Sequence, residues 1–440
     1  MIALLIATTA IGQPTQDLRN IATGWEIPSE GYCDQPYVVV LDDGTWLCTM
    51  TTGPGQEGDQ RQHVVSTRST DQGHTWSELT DIEPIGPPEA SWVMPLLTPS
   101  GRVYAFYVRN TRGFRTIGGQ ERRADMLGDY VCKVSDDGGR TWSERRWTIP
   151  LRETEADRGN DVGGDEQFFW GVGKPMSHEG TVWLGFSKIG KWLVDETEGW
   201  FLRSDNVLTA EEPSDVRWTL LPEGDVGLRA PAGSIAEEHN LVALSDGSLY
   251  CTYRTVNGHL AAAYSRAGGR TWTTPAHARY SPEGRVIKNP RGPAFVRKFS
   301  NGKYLLLYYN YGGKDFSRRN PYWLSGGIER DGYIHWSEPE ICLYDDDPTV
   351  RIGYPDFIED GGQIFISETN KVTARVHPVD WELLRGVWRQ HELTGVPREG
   401  RVAEFAGGES GELRWPDLSQ REGFTLEAWV DAEECRPGDV

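Results

Sequence analysis

An octapeptide with a shared frame recurs along the chain and constrains its fold more than any other feature. Three clear copies are STDQGHTW at 69–76, SDDGGRTW at 135–142 and SRAGGRTW at 265–272, and a worn copy, ERDGYIHW, ends at Trp336. In the frame Ser-x-Asp-x-Gly-x-Thr-Trp, the Ser and Asp side chains bond nearby backbone N–H groups, the Gly takes a positive φ, and the Trp packs into the layer beneath. Such a segment is typical of a tight turn between strands, and its repetition indicates a repeat architecture.

Six hairpin signals form a second periodicity. Each is a strand-like segment, a turn that ends in Gly and a second strand-like segment, and the turn glycines are Gly44, Gly101, Gly180, Gly247, Gly302 and Gly361. The octapeptides follow the first, second, fourth and fifth hairpins, the third unit keeps a trace around 204–218, and the sixth has none. Six such units, about sixty residues apart, predict an all-β fold: a six-bladed β-propeller over residues 20–395.

Charge and composition narrow the choice of partner. The formal net charge is −20, which argues against nucleic acid or an anionic membrane surface as the main partner. The six cysteines show no zinc-binding spacing, and we expect neither a metal nor another cofactor. Five arginines crowd the segment 109–123, which is either a solvated excursion or a wall of the substrate mouth.

The two ends of the chain differ in character from the repeats. Residues 1–19, with the apolar run MIALLI, resemble a secretory signal peptide, so we expect a secreted, periplasmic or cell-surface protein. No later segment is long and apolar enough to span a membrane. Residues 396–440 are predicted to be a linker followed by the first strands of a β-sandwich, because FTLEAWV at 424–430 resembles the opening of a concanavalin/laminin-G-like domain.

The octapeptides resemble the Asp-box repeats of the sialidase (neuraminidase) superfamily, and the six-unit count is similar to that of its catalytic domain. The resemblance covers most of residues 20–395 and implies a glycoside hydrolase that acts on glycans carrying acidic sugars. Asp-boxes lie on the propeller rim, so they specify a fold and not a chemistry. The activity has to be argued from residues at the axial mouth.

The segment EEHNLVALSDGSLYCTYR, residues 237–254, carries the most informative match. The resemblance implies that Glu238 activates the nucleophile and that Arg254 belongs to a cluster that holds the substrate carboxylate. The two ends of one hairpin can place both groups at the same strand end, and a guanidinium binds a carboxylate through two parallel hydrogen bonds. The alternative is a structural ion pair between the two residues.

A second match is IGYPDFIEDGGQIFISE, residues 352–368. Here the resemblance implies that Tyr354 is the nucleophile and that Glu368 lines the substrate site. A neutral phenol suits a sugar whose anomeric carbon bears a carboxylate, since that carboxylate repels an attacking Asp or Glu. The alternative for Tyr354 is an aromatic side chain that only packs the hairpin.

Two softer matches complete the predicted site. In GDQRQHVVSTRSTDQG, residues 58–73, the resemblance implies that Asp59 is the general acid, which needs a pKa raised by partial burial. Glu57 is one step away and stays open, and a solvated Asp59 is the default alternative. In SRRNPYWLSGG, Arg319 fits a further arginine of the cluster, with Arg318 as the neighbouring choice.

The chain departs from the superfamily pattern in the first blade. Sialidases open that blade with Phe-Arg-Ile-Pro, whereas YCDQPYVVV places Asp34 where the arginine would stand. This exchange repels a substrate carboxylate by a few kcal/mol in a partly desolvated site, on the order expected from Coulomb's law. Asp34 would instead bond sugar hydroxyls or act as an acid/base group, unless another arginine, from 109–123, fills the gap.

Three functions follow from these residues. The first is an exported exo-glycosidase that removes terminal acidic sugars with retention, with a glycan as its partner. The second is a polysaccharide lyase in which a Tyr or a His is the base, with His63 and His239 as the candidate histidines, and arginine neutralises a uronate. The third is a non-catalytic glycan-binding protein, which Asp34 favours.

Overall fold

Six antiparallel sheets follow one another along the chain and form the blades of a propeller, which confirms the fold predicted from the repeats. The computed structural model describes residues 17–393, except 118, 122, 192–194, 315 and 317, and three further strands outside that range. Four blades have four strands in a single row, whereas in blades 3 and 5 a fifth strand pairs with a neighbour that already belongs to the row. The row begins with the innermost strand of the blade.

The strands of the first three blades are antiparallel throughout. Blade 1 consists of Tyr32–Val40, Trp46–Gly53, His63–Ser69 and Thr80–Asp81. Blade 2 consists of Ala90–Leu97, Val103–Arg109, Asp129–Ser135 and Trp147–Thr148. Blade 3 consists of Phe169–Gly171, Met176–His178, Thr181–Lys191, Asp195–Ser204 and Thr219–Leu221.

The last three blades repeat the same plan. Blade 4 consists of Glu237–Ala243, Leu249–Arg254, Ala261–Ser265 and Ala276–His277. Blade 5 consists of Phe295–Lys298, Tyr304–Tyr308, Tyr322–Arg330, Tyr333–Trp336 and Glu340–Leu343. Blade 6 consists of Gly353–Asp360, Gln363–Thr369, Ala374–Pro378 and Trp25–Ile27.

The outermost strand of blade 6 comes from the other end of the propeller sequence. Trp25–Ile27 pairs antiparallel with Ala374–Pro378, so that Trp25 lies opposite Val376 and Ile27 opposite Ala374. The first strand of the propeller therefore closes the ring against its last blade, and each of the six blades has at least four strands.

The octapeptides form the predicted turns between the third and fourth strands of their blades. In the first copy, the Ser69 hydroxyl accepts a hydrogen bond from the Gly73 N–H at 2.8 Å. Asp71 accepts from the Thr75 N–H at 2.9 Å and from its hydroxyl at 2.6 Å. These bonds lower the pKa of Asp71 to about 2. Trp76 is half-buried against the core and donates from Nε1 to the carbonyl oxygen of Gly73 at 3.0 Å.

The six hairpin glycines all adopt the left-handed backbone that the sequence predicts. Their φ values range from 58° at Gly361 to 85° at Gly101. Each ends the turn between the first two strands of its blade, or between the second and third strands in blade 3, where a side chain would be strained.

The core lies in layers between neighbouring blades. Between blades 2 and 3, Tyr130 meets Phe169 edge-on with ring centroids 5.4 Å apart. Phe106 and Trp218 meet in the same way at 5.5 Å. Such edge-to-face pairs add specific geometry to a large apolar area, which suits the aromatic-rich composition.

In the described part of the chain, helices are few and short. The α-helices are Glu155–Gly159 and Trp381–Arg389, and the 3-10 helices are Ile21–Thr23, Ala124–Met126, Pro213–Asp215 and Gln390–Glu392. A two-stranded ribbon, Thr116–Ile117 with Gln120–Glu121, projects within the segment 109–123. Among the residues described, no helix has the length and apolar character to cross a bilayer.

Contacts divide the chain into two units, residues 18–388 and a second unit made of 1–17 and 389–440. The propeller is the first. In the second, Ile2–Leu5 is the central strand of a sheet with Arg401–Phe405 and Glu427–Val430 on its two sides. Of the predicted leader, residues 1 and 6–16 lie outside the described residues, as does the rest of the predicted lectin-like segment. The boundaries at 19 and 396 stay predictions.

Candidate active site

Four of the innermost strands bulge near their first residues. The bulge residues are Gln35, Trp92, Glu238 and Tyr354, with φ of 55°, 64°, 59° and 47°. In each case the pairing register with the second strand shifts across this residue. A bulge re-aims a side chain and is common next to functional sites. Four blades thus present one residue each from an equivalent position at the same end of their strands.

Two of these bulge residues meet directly. Tyr354 Oη donates a hydrogen bond to Glu238 Oε1 at 3.1 Å, and both side chains are buried. Arg254 Nη1 lies 2.9 Å from the same carboxylate oxygen. Within the described part of the chain, the other oxygen of Glu238 has no hydrogen-bond partner. The pair predicted from two separate motifs therefore forms one buried phenol–carboxylate unit.

Burial controls the protonation of this unit. It raises the pKa of Glu238 above its usual value, and the neighbouring Glu237 raises it further, whereas Arg254 opposes the change. Burial, followed by the charge of Glu238, raises the pKa of Tyr354 to about 12, and Lys371 and Arg254 oppose that change. Glu238 is consequently a stronger base than a solvated glutamate.

A group of arginines lies beside Glu238. Arg254 Nε is 2.6 Å from one oxygen of Glu237, and Arg291 Nη2 is 2.5 Å from the other. Arg319 Nη2 donates to the carbonyl oxygen of Arg291 at 3.0 Å. All three guanidinium groups face the ring of Phe316, with distances of 4.5 to 5.7 Å to its centroid. We call Arg254, Arg291 and Arg319 the arginine wall.

The arginine wall has the chemistry of an anion site. Its three guanidinium groups lie around two buried carboxylates, Glu237 and Glu238. Arg254 and Glu237 hold each other in place through their ion pair. Burial raises the pKa of Glu237, but the charges and hydrogen bonds of Arg254 and Arg291 keep that pKa below the usual value. Sequence reasoning found Arg254 and Arg319 but missed Arg291, which precedes blade 5 outside any recognised motif.

A second ionic group lies on the other side of Tyr354. Lys371 Nζ is 2.5 Å from Asp34 Oδ2 and 3.0 Å from Glu57 Oε2. The same ammonium lies 4.0 Å from the centroid of the Tyr354 ring. Arg123 Nη2 contacts the other oxygen of Glu57 at 2.9 Å. We call Lys371, Asp34 and Glu57 the lysine cluster.

The lysine cluster explains how the fold accepts Asp34. This side chain is fully buried in blade 1, and its charge is met by a cation from the loop after the second strand of blade 6. Arg123, from the segment 109–123, reaches this region through Glu57. The positive charge expected there is supplied by Lys371, a residue that no sequence motif marked.

Two predicted site residues lie elsewhere. Asp59 is exposed, and its carboxylate accepts a hydrogen bond from the Gln56 N–H at 2.8 Å, so it has not the partial burial expected of a general acid. Glu368 is buried within blade 6, 3.4 Å from Arg375 Nη1 and 3.3 Å from His377 Nε2. These contacts turn Glu368 toward its own blade and do not bring it to Tyr354.

The histidines considered for a lyase also lie away from Tyr354. His239 is buried in blade 4, where its ring stacks on Tyr253 with centroids 4.1 Å apart, and burial lowers its pKa to about 3. His63 is buried in blade 1 between Glu30, at 2.7 Å, and the carbonyl oxygen of Glu83, at 2.9 Å. Both rings are engaged in packing or in hydrogen bonds of their own blades.

The repeats and their turns match a known family. The profile of the BNR repeat-like domain matches residues 88–366, well over half of the chain. The chain belongs to this family. A search of curated proteins found no match.

Solved structures show which fold this BNR repeat-like protein shares. It is similar to a Hadza microbial sialidase, with 17% identity and a TM-score of 0.54 over 81% of this chain and 66% of that one, so it spans less than two thirds of that sialidase. It is also similar to the intramolecular trans-sialidase from Ruminococcus gnavus, with 16% identity and a TM-score of 0.56 over 82% and 96% of the two chains. A protein of unknown function from Dyadobacter fermentans matches with 16% identity and a TM-score of 0.57, over 81% and 97%.

These likenesses confirm the resemblance to the sialidase superfamily at the level of the fold. At such identities they speak to the six-bladed propeller and not to a substrate. The chemistry has to be argued from the side chains of this chain.

Proposed function

We propose that this protein is a glycoside hydrolase of the sialidase superfamily that releases terminal acidic sugars from glycans with retention of anomeric configuration. The hydrogen bond from Tyr354 Oη to Glu238 Oε1, next to the arginine wall, is the observation that carries the proposal. Because such glycans are found outside the cytoplasm and the N-terminal run resembles a signal peptide, we also propose that the protein is exported.

The arginine wall supports an acidic sugar as substrate. Arg254 and Arg319 are buried, and a guanidinium in a desolvated site binds a carboxylate strongly through charge-assisted hydrogen bonds. A sugar held in this way presents a negative charge next to its reacting carbon. A neutral phenol approaches that carbon without the repulsion that a carboxylate nucleophile would meet.

In the proposed first step, Glu238 accepts the phenol proton while Tyr354 Oη forms a bond to the anomeric carbon. The bond from that carbon to the leaving oxygen breaks, and the leaving oxygen takes a proton from a carboxyl group of the loop 54–62, for which we propose Asp59. In the second step, water gives a proton to this carboxylate and attacks the anomeric carbon, and the phenol leaves and regains its proton from Glu238. Two inversions at one carbon give retention.

Non-catalytic glycan binding is the second candidate. The observation in its favour is Asp34, which places a carboxylate, paired with Lys371 at 2.5 Å, where sialidases carry an arginine. A site built only for binding has no need of the buried phenol–carboxylate unit, which costs desolvation of both groups. The geometry therefore favours catalysis.

The test is the hydrolysis of a panel of aryl glycosides of sialic and uronic sugars. We expect the wild-type protein to release the aryl alcohol from at least one acidic sugar, and NMR of the first product to show the anomer of the substrate. Tyr354→Phe and Glu238→Ala should each lower kcat/KM by about 10²–10⁴-fold, the range typical of a lost nucleophile or general base.

Tyr253→Phe is the matched control. This buried hydroxyl donates to the carbonyl oxygen of Arg229 at 2.8 Å, away from Glu238, so the variant should keep its turnover. Unchanged turnover in Tyr354→Phe would contradict the assignment of Tyr354 as the nucleophile. Glycan binding by the wild type without any product would favour the second candidate, and an unsaturated uronate product would favour a lyase.

A further inference from the structure

Lys371 lies in a rigid turn that aims its side chain at Tyr354. The turn joins Gln363–Thr369 to Ala374–Pro378, and Lys371 adopts a left-handed φ of 77°. Its N–H donates to the Thr369 hydroxyl at 2.8 Å, and its carbonyl oxygen accepts from the Cys33 N–H at 3.2 Å. A left-handed φ is strained at a lysine, and the surrounding hydrogen bonds hold the residue in this conformation.

The ammonium of Lys371 lies among three aromatic rings. Its distance to the ring centroid is 4.0 Å for Tyr354, 5.8 Å for Tyr32 and 5.9 Å for Trp92. A cation over the face of an aromatic ring is attracted by the electrons of that ring, and more so when the site excludes water. The contact with Tyr354 is the shortest of the three, so this ring feels the charge most.

The two carboxylates of the lysine cluster have other partners besides Lys371. Asp34 accepts hydrogen bonds from the Tyr32 hydroxyl at 2.8 Å and from the Gln35 N–H at 2.9 Å. Glu57 is paired with Arg123 at 2.9 Å. These partners fix the two carboxylates, which in turn hold the ammonium of Lys371 next to the Tyr354 ring.

Several charged or titratable groups act on the Tyr354 phenol. Glu238 and Glu57 disfavour loss of its proton, whereas Lys371, Arg254 and Arg319 favour it, and the Tyr309 hydroxyl lies close by. Lys371 is the positive charge of the lysine cluster that faces the ring, and Arg254 is the one that also meets Glu238.

We propose that Lys371 is a positioning residue for Tyr354, which holds the phenol ring against Glu238 and stabilises the phenolate that forms when the proton moves to that carboxylate. This inference rests on the proposed function, because it takes Tyr354 as the nucleophile. In this inference, Lys371 of blade 6 supplies the positive charge that is missing from blade 1, where Asp34 stands at the position of the expected arginine.

The experiment titrates residue 354 itself and needs no substrate. Difluorotyrosine, whose phenol is more acidic than that of tyrosine, is placed at position 354, and its ionisation is followed by fluorine NMR. In Lys371→Met, the pKa of this phenol should rise by about one unit or more, as expected when a nearby opposite charge is removed. Lys371→Arg should restore most of the wild-type value.

Lys174→Met is the matched control. The ammonium of Lys174 lies 2.7 Å from the buried Asp356, is covered to a similar degree, and contacts the carbonyl oxygens of Val38 and Phe357. Arg297 lies 2.9 Å from the same Asp356 and is its remaining partner in that variant. Lys174→Met removes a buried lysine–aspartate pair that is separate from the lysine cluster, so the phenol at 354 should titrate as in the wild type.

The two possible failures can be told apart. If the wild type hydrolyses no acidic glycoside, the proposed function fails, and the titration still decides whether Lys371 acts on Tyr354. If the phenol titrates equally in Lys371→Met and the wild type, the inference is overturned, even where turnover is normal. Where Lys371→Met does not fold, Lys371→Gln takes its place in the same titration.

Turnover gives a second readout on an active wild type. Because the phenolate develops during the reaction, Lys371→Met should lower kcat about tenfold with a smaller change in KM. A change confined to KM would show that Lys371 only binds substrate, which contradicts the inference.

Discussion

At the scale of single residues, Tyr354 and Glu238 share a left-handed backbone with Gln35 and Trp92 at equivalent positions of other blades. This conformation costs about 1–3 kcal/mol at a non-glycine residue. Since four blades carry it with four different side chains, the bulge belongs to the scaffold, and the identity of the residue at the bulge decides the chemistry. Tyr and Glu at two of these positions provide the phenol–carboxylate unit.

The general acid is the residue-scale assignment that most needs a test. Although burial raises the pKa of Glu57, Lys371 and Arg123 together hold it below its usual value, so Glu57 is ionised at neutral pH and cannot donate a proton. We therefore expect Asp59→Ala to lower turnover by about 10²–10⁴-fold for substrates with poor leaving groups and to have little effect on activated aryl glycosides. Rates over a series of leaving groups measure this dependence.

Glu57→Gln provides the comparison, because it keeps the shape of the neighbouring side chain. It should change turnover by a similar factor for every leaving group, since it removes a partner of Lys371 and Arg123 and not a proton donor. The opposite pattern, with a dependence on the leaving group in Glu57→Gln and none in Asp59→Ala, would move the role of general acid to Glu57.

At the scale of elements, the octapeptide turns offer a natural comparison between blades 2 and 4. Asp137 accepts hydrogen bonds from the Thr141 N–H at 2.9 Å and from its hydroxyl at 2.7 Å. Blade 4 has Ala267 at the same position, so its turn has no carboxylate to make these two bonds, although the Ser265 hydroxyl still accepts from the Gly269 N–H at 2.9 Å and Trp272 Nε1 donates to the Gly269 carbonyl oxygen at 3.0 Å. The turn of blade 4 therefore has fewer side-chain hydrogen bonds than the turn of blade 2.

We expect Asp137→Ala to lower the free energy of unfolding by about 0.5–1 kcal/mol, and Ala267→Asp to raise it by a similar amount. Each bond is partly solvated, so the low end of the usual range for a hydrogen bond applies. Urea denaturation at neutral pH measures both changes. A destabilising Ala267→Asp would show that the turn of blade 4 has a different geometry from that of blade 2.

The sequence predicted those site residues that a blade fixes by its regular frame. Glu238 and Arg254 lie at the two ends of one hairpin, and Tyr354 lies at the start of another, so a fixed spacing places them at one end of the sheets. Lys371 and Arg291 come from connections between strands, where length and direction vary from blade to blade. No spacing along the chain marks which of these loop side chains reaches the axis.

Glu368 and Asp59 are residues that the sequence placed in the site and that lie elsewhere in the structure. Glu368 stands at the position implied by the family, but the pairing of neighbouring strands places Arg375 opposite it and His377 beside it, so its charge is satisfied inside blade 6. Asp59 lies in a loop that contains Gly55 and Gly58, both with left-handed φ, and the course of such a loop cannot be deduced from hydrophobic periodicity.

At the scale of the whole molecule, the fold was predictable from the propeller repeats, whereas the way in which the ring closes was not. Six glycine turns and three clear octapeptides are easily recognised in the sequence, and the turns give the number of blades. The closing strand, Trp25–Ile27, has only three residues and no turn motif of its own. Its role depends on pairing with Ala374–Pro378, about 350 residues later in the chain, which local patterns do not reveal.

Gly24 gives a test of this closure. A Cβ at Gly24 would lie 2.3 Å from Cε1 of His377, whose ring is buried and pairs with Glu368. Because this contact precedes the closing strand directly, Gly24→Ala should push Trp25–Ile27 away from blade 6. We expect the free energy of unfolding to fall by about 1–3 kcal/mol, the usual cost of overpacking, and Tm to fall with it.

The control for Gly24→Ala is Gly386→Ala, in the exposed part of the helix Trp381–Arg389, where nothing lies within 4 Å of the added Cβ. Alanine favours a helix over glycine by up to about 1 kcal/mol, so this variant should be as stable as the wild type or more so. Because a ring closed by one short strand has no independent half, Gly24→Ala should lower the Tm of the propeller as a whole and in a single transition. Two separate transitions in calorimetry, with only blade 6 and the closing strand lost in the first, would instead show that the remaining blades hold together without a closed ring.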